Sequence, residues 1–247
     1  MNDAQNNELL FNAMTFNTRK LLKFCYFMTI AMFLFTCADN SKQKTNATAE
    51  ETGSVAEEKS VAASTNTILF FGDSITAGYG LDTTDEAFPA IIQEKIDALN
   101  LDYTVVNSGV SGETTSGGRN RIDWILNQNI EIFVLELGAN DGLRGVPLSE
   151  TRHNLQSIID AVKQKDQNTA IILAGMELPP NMGQDYTSEF RAMYAELAEI
   201  NDVSFIPFIL KDVGGIKALN QNDGIHPTAK GHEIIANTVW DYLKPLL

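Results

Sequence analysis

Short apolar runs alternate with longer amphipathic stretches along most of this chain. The apolar runs have the length and composition of strands that are buried on both faces of a sheet. They occupy residues 67–71, 103–106, 132–137, 170–174 and 203–207. These runs predict the strands of one sheet.

The stretches between these runs repeat apolar residues every three or four positions, which is the spacing of an amphipathic helix. The apolar positions are 88, 91, 92, 96 and 99, then 122, 125 and 126, then 155, 158, 159 and 162, then 190, 193, 194, 197 and 200. A last helix is predicted over residues 229–243, after Pro227 and Thr228. Strands that alternate with helices pair in parallel through right-handed crossovers. The pattern therefore predicts an α/β fold, a three-layer α/β/α sandwich around a five-stranded parallel sheet.

The N-terminal 37 residues have the pattern of an export signal. Arg19, Lys20 and Lys23 precede an apolar run at residues 24–36, which is short for a membrane-spanning helix. Translation can begin at Met1 or at Met14, just before the basic cluster. Residues 34–37 (LFTC) resemble the lipobox at which bacterial lipoproteins are cleaved and acylated. We therefore expect residues 1–37 to be a signal peptide with Cys37 as the lipidation site; an ordinary signal peptide or an uncleaved anchor is the alternative.

A polar segment follows the signal. Residues 38–65 consist mainly of Ser, Thr, Ala, Glu, Lys and Asn, and they contain too few large apolar side chains to offset the entropy lost on ordering. We interpret this segment as a flexible linker and residues 66–247 as the single folded domain. The chain is expected to be exported to the periplasm or cell envelope and to contact a bacterial membrane through its lipid anchor.

The net charge limits the possible partners of the chain, and the positions of the cysteines decide whether the domain can form a disulfide. The formal net charge of −14 excludes nucleic acid as a partner, because phosphate recognition requires a basic surface. Cys25 and Cys37 are the two cysteines, and both precede the domain, so the domain forms no internal disulfide. The sequence fixes no oligomeric state, and we expect a monomer.

Four polar motifs follow the predicted strands or precede the last helix. Residues 72–76 (GDSIT) place Ser74 after the first strand, and residues 107–115 form a glycine-punctuated loop whose N–H groups can face an anion. Residues 138–142 (GANDG) place the side-chain amide of Asn140 after the third strand. Ligands bind beyond the carboxyl ends of such strands. Taken alone, the motifs around Ser74 and Asn140 are also compatible with ordinary turns. A dinucleotide-binding loop is the alternative for residues 107–115, and it is disfavoured because the glycines do not have the G-x-G-x-x-G spacing.

The fourth motif, residues 223–227 (DGIHP), places a carboxylate three residues before an imidazole. At this spacing Asp223 can accept a hydrogen bond from one ring nitrogen of His226 and leave the other nitrogen free to take a proton. The two other histidines, His153 and His232, lie in predicted helices and are interpreted as surface or packing residues. Together the four motifs contain a nucleophile, a base, an orienting acid and oxyanion donors, as acyl transfer requires.

Four segments of the chain carry a family resemblance, namely FFGDSITAGYG, VVNSGVSGETTSGG, VLELGANDGLRG and DGIHPTAKGH. From about residue 68 to 246, the chain resembles the GDSL/SGNH hydrolases. The resemblance is to the bacterial thioesterase, lysophospholipase and arylesterase branch of that family, and it implies a flavodoxin-like SGNH fold. It also implies that Ser74 is the nucleophile, that Asp223 and His226 complete a triad, and that Ser74 N–H, Gly112 N–H and the Asn140 amide form the oxyanion hole. An α/β-hydrolase is disfavoured because its G-x-S-x-G motif requires Gly where Thr76 stands.

The expected activity is hydrolysis of carboxylic esters through an acyl-enzyme, with a lysophospholipid, a short- or medium-chain acyl ester or an aryl ester as substrate. Residues 143–145 and 179–186 are expected to border the acyl group. No metal or organic cofactor is implied, and Asp141 is interpreted as a turn residue. One alternative is a carbohydrate or peptidoglycan O-acetylesterase. Another is a lipoprotein that binds an envelope ligand without catalysis.

Overall fold

The computed structural model describes residues 66–247. The predicted signal peptide, the lipidation site at Cys37 and the linker over residues 38–65 lie outside the described residues. Within residues 66–247, every helix is too short or too polar to span a bilayer.

The described chain alternates strands and helices from its start to its end. The strands are β1 (Asn66–Gly72), β2 (Tyr103–Gly109), β3 (Ile132–Glu136), β4 (Ala170–Ala174) and β5 (Ser204–Ile206). The helices are α1 (Ser74–Ala77), α2 (Phe88–Ala98), α3 (Thr115–Ile125), α4 (Ala139–Leu143), α5 (Leu148–Lys165), α6 (Gln184–Asn201) and α7 (Ala229–Leu243). Short 3₁₀ turns lie at Thr84–Glu86, Pro180–Met182, Lys217–Leu219 and Lys244–Leu246.

The five strands form one parallel sheet in the order β2-β1-β3-β4-β5, which confirms the predicted fold class. Helix α2 packs against α7, whereas α5 packs against both α3 and α6. Right-handed crossovers place these two helix groups on opposite faces of the sheet. In register, Gly72 at the end of β1 is level with Gly109 on β2 and Glu136 on β3. The loops that follow these three strands therefore meet at one edge.

The central strands supply most of the core. Ile68, Leu69, Phe70 and Phe71 of β1 are fully buried because helices cover both of its faces. The predicted strand at 103–106 differs, because β2 is an edge strand and is only partly buried. It also continues to Gly109, since its last residues pair with the end of β1.

Two further differences from the predicted elements have local reasons. Strand β5 stops at Ile206 rather than at residue 207, because Pro207 has no N–H to donate to a neighbouring strand. Helices α1 and α4 were not predicted, since a helix of four or five residues is too short to show a hydrophobic period. Both begin directly beyond strand ends and carry the polar motifs around Ser74 and Asn140.

Candidate active site

The turn around Ser74 is formed by its neighbours. Asp73 caps helix α1, because its side chain accepts the N–H of Ile75 at 3.0 Å. Ser74 is the first residue of that helix and lies at the carboxyl end of β1 with 8% of its surface exposed. A central strand and a capped helix therefore hold the hydroxyl at the rim of the sheet.

A buried carboxyl group lies behind this turn. Glu136 Oε2 accepts the Thr76 hydroxyl at 2.8 Å and the Asp73 N–H at 3.3 Å. A Cβ on Gly72 would lie 2.0 Å from Thr76 Oγ1 and 2.6 Å from Glu136 Oε2, so only glycine leaves room for this contact. Glu136 therefore ties β3 to the first turn of α1.

Burial controls the protonation of this acid and of its neighbour. Burial, followed by the nearby charge of Asp73, raises the pKa of Glu136 well above its usual range. Burial also raises the pKa of Asp73 to about 6. The hydrogen bonds from Ile75 and Asn140 lower this pKa, but burial has the larger effect. The sequence reading missed Glu136 as a site residue. An acidic residue inside the otherwise apolar run 132–137 was the signal that could have identified it.

The imidazole of His226 lies between Ser74 and Asp223. His226 Nε2 is 3.0 Å from Ser74 Oγ, and His226 Nδ1 is 2.6 Å from Asp223 Oδ2. Asp223 Oδ1 accepts two more hydrogen bonds, from the N–H groups of Ile225 at 2.9 Å and His226 at 3.0 Å. The structure thus brings together the three side chains that the sequence predicted as a triad.

Asp223 is held in its charged form by hydrogen bonds and by its exposure to water. The hydrogen bond from His226, followed by the two backbone N–H groups, lowers the pKa of Asp223 to about 2. A charged carboxylate on Nδ1 fixes the proton there and leaves Nε2 as the acceptor that faces Ser74. The geometry therefore suits removal of the Ser74 proton by His226.

The three predicted oxyanion donors follow the adjacent strands β2, β1 and β3. Gly112 lies in the loop after β2 with φ +79°, and its carbonyl accepts Arg144 Nη2 at 3.0 Å. Asn140, in the first turn of α4, donates one amide N–H to Asp73 Oδ2 at 3.0 Å. An amide nitrogen carries a second N–H, which leaves one donor for a bound group. The order of the strands brings the segments that carry Gly112 and Asn140 to the same edge of the sheet as Ser74.

Asp141 has more than the turn role that the sequence indicated. Its side chain is buried and accepts the Thr115 N–H at 2.8 Å and the Thr115 hydroxyl at 2.5 Å. Asn154 in turn donates to the Thr115 hydroxyl at 3.2 Å. Asp141 therefore joins the start of α3, which follows the Gly112 loop, to the helix that carries Asn140.

An apolar cavity of about 400 Å³ borders residues that neighbour Ser74, Asp223 and His226 in the chain. Ile75, Leu143 and Ile225 line it next to the triad. The loops after β4 and β5 supply its other apolar walls, among them Met176, Leu178, Pro179, Pro180, Phe208 and Leu210. Leu143 and residues 179–180 belong to the segments that the sequence predicted as acyl neighbours. The contribution of the loop after β5 was not predicted, since irregular loops carry no periodic signal.

The other histidines lie away from this site. His153 is exposed on α5. His232 is fully buried on α7, where its Nδ1 accepts the Phe88 N–H at 3.2 Å. Burial lowers the pKa of His232 to about 4, so it packs as a neutral ring. Residues 66–247 contain no group of three or more His, Cys, Asp and Glu side chains arranged to hold a metal ion.

Known proteins are similar to this chain in sequence and in fold. The sequence pattern of the GDSL-like lipase/acylhydrolase family matches residues 70–234. The chain is 38% identical to the esterase TesA of Pseudomonas aeruginosa over 186 residues, which are 75% of this chain and 91% of that protein. It is 36% identical to thioesterase 1/protease 1/lysophospholipase L1 of Escherichia coli over 187 residues, 75% of this chain and 87% of that protein. The crystal structure of the psychrotrophic esterase EstA from Pseudoalteromonas sp. superposes with a TM-score of 0.69 at 34% identity, over 73% of this chain and 97% of that one.

The site contains a serine, an imidazole and a carboxylate that are joined by two hydrogen bonds at the edge of a parallel sheet. These features define a serine hydrolase of the α/β/α sandwich class. The chain belongs to the GDSL-like lipase/acylhydrolase family, and it is an ester hydrolase.

Proposed function

We propose that Ser74 attacks the carbonyl carbon of a carboxylic ester and forms an acyl-enzyme that water then hydrolyses. His226 Nε2 takes the proton from Ser74 Oγ, gives it to the leaving oxygen, and then activates the water. Asp223 holds the imidazole in the required tautomer. The observation that carries this proposal is the continuous sequence of two hydrogen bonds, 2.6 Å from Asp223 to His226 and 3.0 Å from His226 to Ser74.

The tetrahedral intermediate requires donors for its negative oxygen. We assign them to the N–H groups of Ser74 and Gly112 and to the side-chain amide of Asn140. Their positions after three adjacent strands support this assignment, since the carboxyl ends of parallel strands converge on one edge. Donors fixed before the reaction stabilise the developing charge without reorganisation.

The cavity supports an acyl group of short to medium length as the preferred substrate. Its volume of about 400 Å³ is that of a small-ligand pocket, and its walls are mainly apolar. Relatives of this chain carry the names esterase, lysophospholipase and arylesterase. We therefore propose a lysophospholipid, a short- or medium-chain acyl ester or an aryl ester as substrate.

Two other candidate functions have less support from the structure. An O-acetylesterase acting on carbohydrate or peptidoglycan needs a short, polar pocket, whereas Leu143, Met176 and Leu178 make this one apolar. A lipoprotein that only binds an envelope ligand has no need for an aligned Ser74, His226 and Asp223. Both remain distinguishable by experiment.

Hydrolysis of 4-nitrophenyl esters from acetate to palmitate, by the full chain and by Ser74→Ala, tests the proposal. We expect the rate to peak at short to medium chain lengths and to fall by about 10⁶ in Ser74→Ala. A preference for acetate alone would favour the acetylesterase. Hydrolysis that persists unchanged in Ser74→Ala would refute the assigned nucleophile, and a folded wild type that cleaves no ester would favour the binding protein.

We further propose that residues 1–37 direct export, that Cys37 is lipidated, and that residues 38–65 link the anchor to the domain over residues 66–247. The basic residues, the apolar run and the lipobox-like LFTC sequence support this proposal. In bacterial cells, the wild-type chain should take up radiolabelled palmitate and sediment with membranes. Cys37→Ala should lose both properties, and an unlabelled wild type would rule out lipidation.

A further inference from the structure

Tyr79 lies beside His226, the proposed base. Its ring centroid is 4.6 Å from that of His226, with the two planes inclined by 48°. The side chain is 52% exposed, so one part of the ring contacts the imidazole and the other faces solvent. A ligand that approaches His226 from solvent can therefore contact this ring.

The backbone holds Tyr79 relative to both the nucleophile and the base. Its N–H donates to the Ser74 carbonyl at 3.0 Å. Its carbonyl accepts Gln221 Nε2 at 2.7 Å, and the same nitrogen donates to the Pro227 carbonyl at 3.0 Å, next to His226. A Cβ on Gly80 would lie 2.2 Å from Gln221 Oε1, so glycine is required for this contact. The loop that carries Tyr79 is therefore fixed to both sides of the site.

The stereochemistry of ester cleavage identifies the group that meets this ring. The oxyanion faces its donors, the acyl chain enters the apolar cavity, and the leaving oxygen must reach His226 Nε2 to take a proton. Tyr79 is not among the residues that line the cavity. A group attached to the leaving oxygen extends past the imidazole, and Tyr79 flanks that imidazole.

Building on the proposed function, we propose that Tyr79 forms the leaving-group subsite and favours esters of aromatic alcohols over esters of saturated alcohols. Aromatic rings attract each other at centroid separations of about 4.5–7 Å, which a phenyl leaving group can reach above an exposed tyrosine. A saturated ring of the same size also contacts Tyr79, but it has no π-system whose quadrupole can align with that of the tyrosine ring. Tyr79 is thus a specificity-determining residue for the alcohol side of the substrate, as the cavity is for the acyl side.

The test compares phenyl butyrate with cyclohexyl butyrate, which share one acyl group and differ in the leaving ring. The ratio of the two kcat/KM values is measured for the full-length wild type, Tyr79→Leu and Tyr79→Phe. Because both substrates are assayed on one preparation, the ratio does not depend on the fraction of folded protein. We expect the phenyl-to-cyclohexyl ratio to fall about fivefold in Tyr79→Leu and to stay unchanged in Tyr79→Phe. Leu143→Ala, on the acyl side, should keep the wild-type ratio.

Equal losses on both esters in Tyr79→Leu would mean that Tyr79 only orients His226, and this would overturn the leaving-group subsite. A lowered ratio in Tyr79→Phe would assign the effect to the hydroxyl and would overturn the role of the ring. The proposed function fails separately, because its failure appears as wild-type hydrolysis that Ser74→Ala leaves intact or as no hydrolysis of either ester.

Discussion

Carboxyl groups lie on two sides of Ser74, and their pKa values are shifted in opposite directions. Asp223 keeps 40% of its side chain exposed and receives three hydrogen bonds, which lower its pKa to about 2. Glu136 and Asp73 are buried behind the nucleophile, where loss of water raises both pKa values. The acid that is needed as a charge thus stays near water and is stabilised by hydrogen-bond donors. The acids that are cut off from water instead shape the turn that presents Ser74.

The largest effect should come from the exposed acid. Asp223→Asn keeps the size of the side chain but removes the charge that fixes the imidazole tautomer, so kcat should fall by roughly 10³–10⁴. The melting temperature should fall only modestly, because the side-chain oxygen that remains can still accept the N–H groups of Ile225 and His226. Ester hydrolysis and thermal unfolding measure the two quantities, with Asp241→Asn on the exposed face of α7 as the control. If Asp223→Asn lowers the melting temperature but leaves kcat unchanged, Asp223 stabilises the fold and does not support the reaction.

Asn140 joins the two sides, since it donates to Asp73 and is the proposed oxyanion donor. Asn140→Ala should lower kcat by about 10²–10³ with a small loss of stability. Enzyme assays and denaturant unfolding, beside the exposed Asn127→Ala, are the measurements. Unchanged rate together with unchanged stability would eliminate Asn140 from the oxyanion hole.

The buried side should respond chiefly in stability. Glu136→Ala removes the acceptor of two buried hydrogen bonds and leaves a cavity, which should cost about 2–4 kcal/mol of unfolding free energy. Glu136→Gln keeps an acceptor oxygen in place and should cost much less. Urea unfolding measures both, and the exposed Glu131→Ala, one residue before β3, should stay within about 0.5 kcal/mol of wild type. If Glu136→Ala is as stable as this control, Glu136 does not hold the turn.

The smallest effect is a pH dependence of stability with opposite signs on the two sides. The raised pKa of Glu136 means that its contribution is complete below the ordinary value of 4.5 and is lost as the pH rises. The contribution of Asp73 is likewise complete below pH 3.8, and it is lost as the pH rises towards its raised pKa of about 6. The contribution of Asp223 is present above 3.8 and is lost as the pH falls towards about 2. Glu136→Gln should therefore gain stability relative to wild type between pH 4 and pH 7 in urea titrations, and a constant difference would show that Glu136 does not titrate there.

The sequence predicted those features that depend on local spacing. Asp223 and His226 are three residues apart, so their hydrogen bond could be expected from the chain alone, and the strand and helix periods gave the fold class. The contact between His226 and Ser74 spans 152 residues and could be expected only through the fold that the motifs implied.

Long-range contacts between irregular segments could not be predicted. Gln221 meets Tyr79 across 142 residues, and the cavity wall after β5 has no periodic pattern. Glu136 was overlooked because one acid does not interrupt the apolar character of its strand. Its role depends on what lies opposite it on β1, and the sequence does not contain that information directly.

The cavity walls come largely from loops after β4 and β5, whereas the reacting groups follow β1, β2 and β3 and precede α7. Substitutions, insertions or deletions in the two wall-forming loops can therefore alter acyl-chain preference while the bond-breaking machinery stays as it is. Substrate range and catalytic rate are separable targets in this protein. A library confined to residues 176–180 and 208–215 should yield variants with new chain-length optima that keep Ser74-dependent turnover.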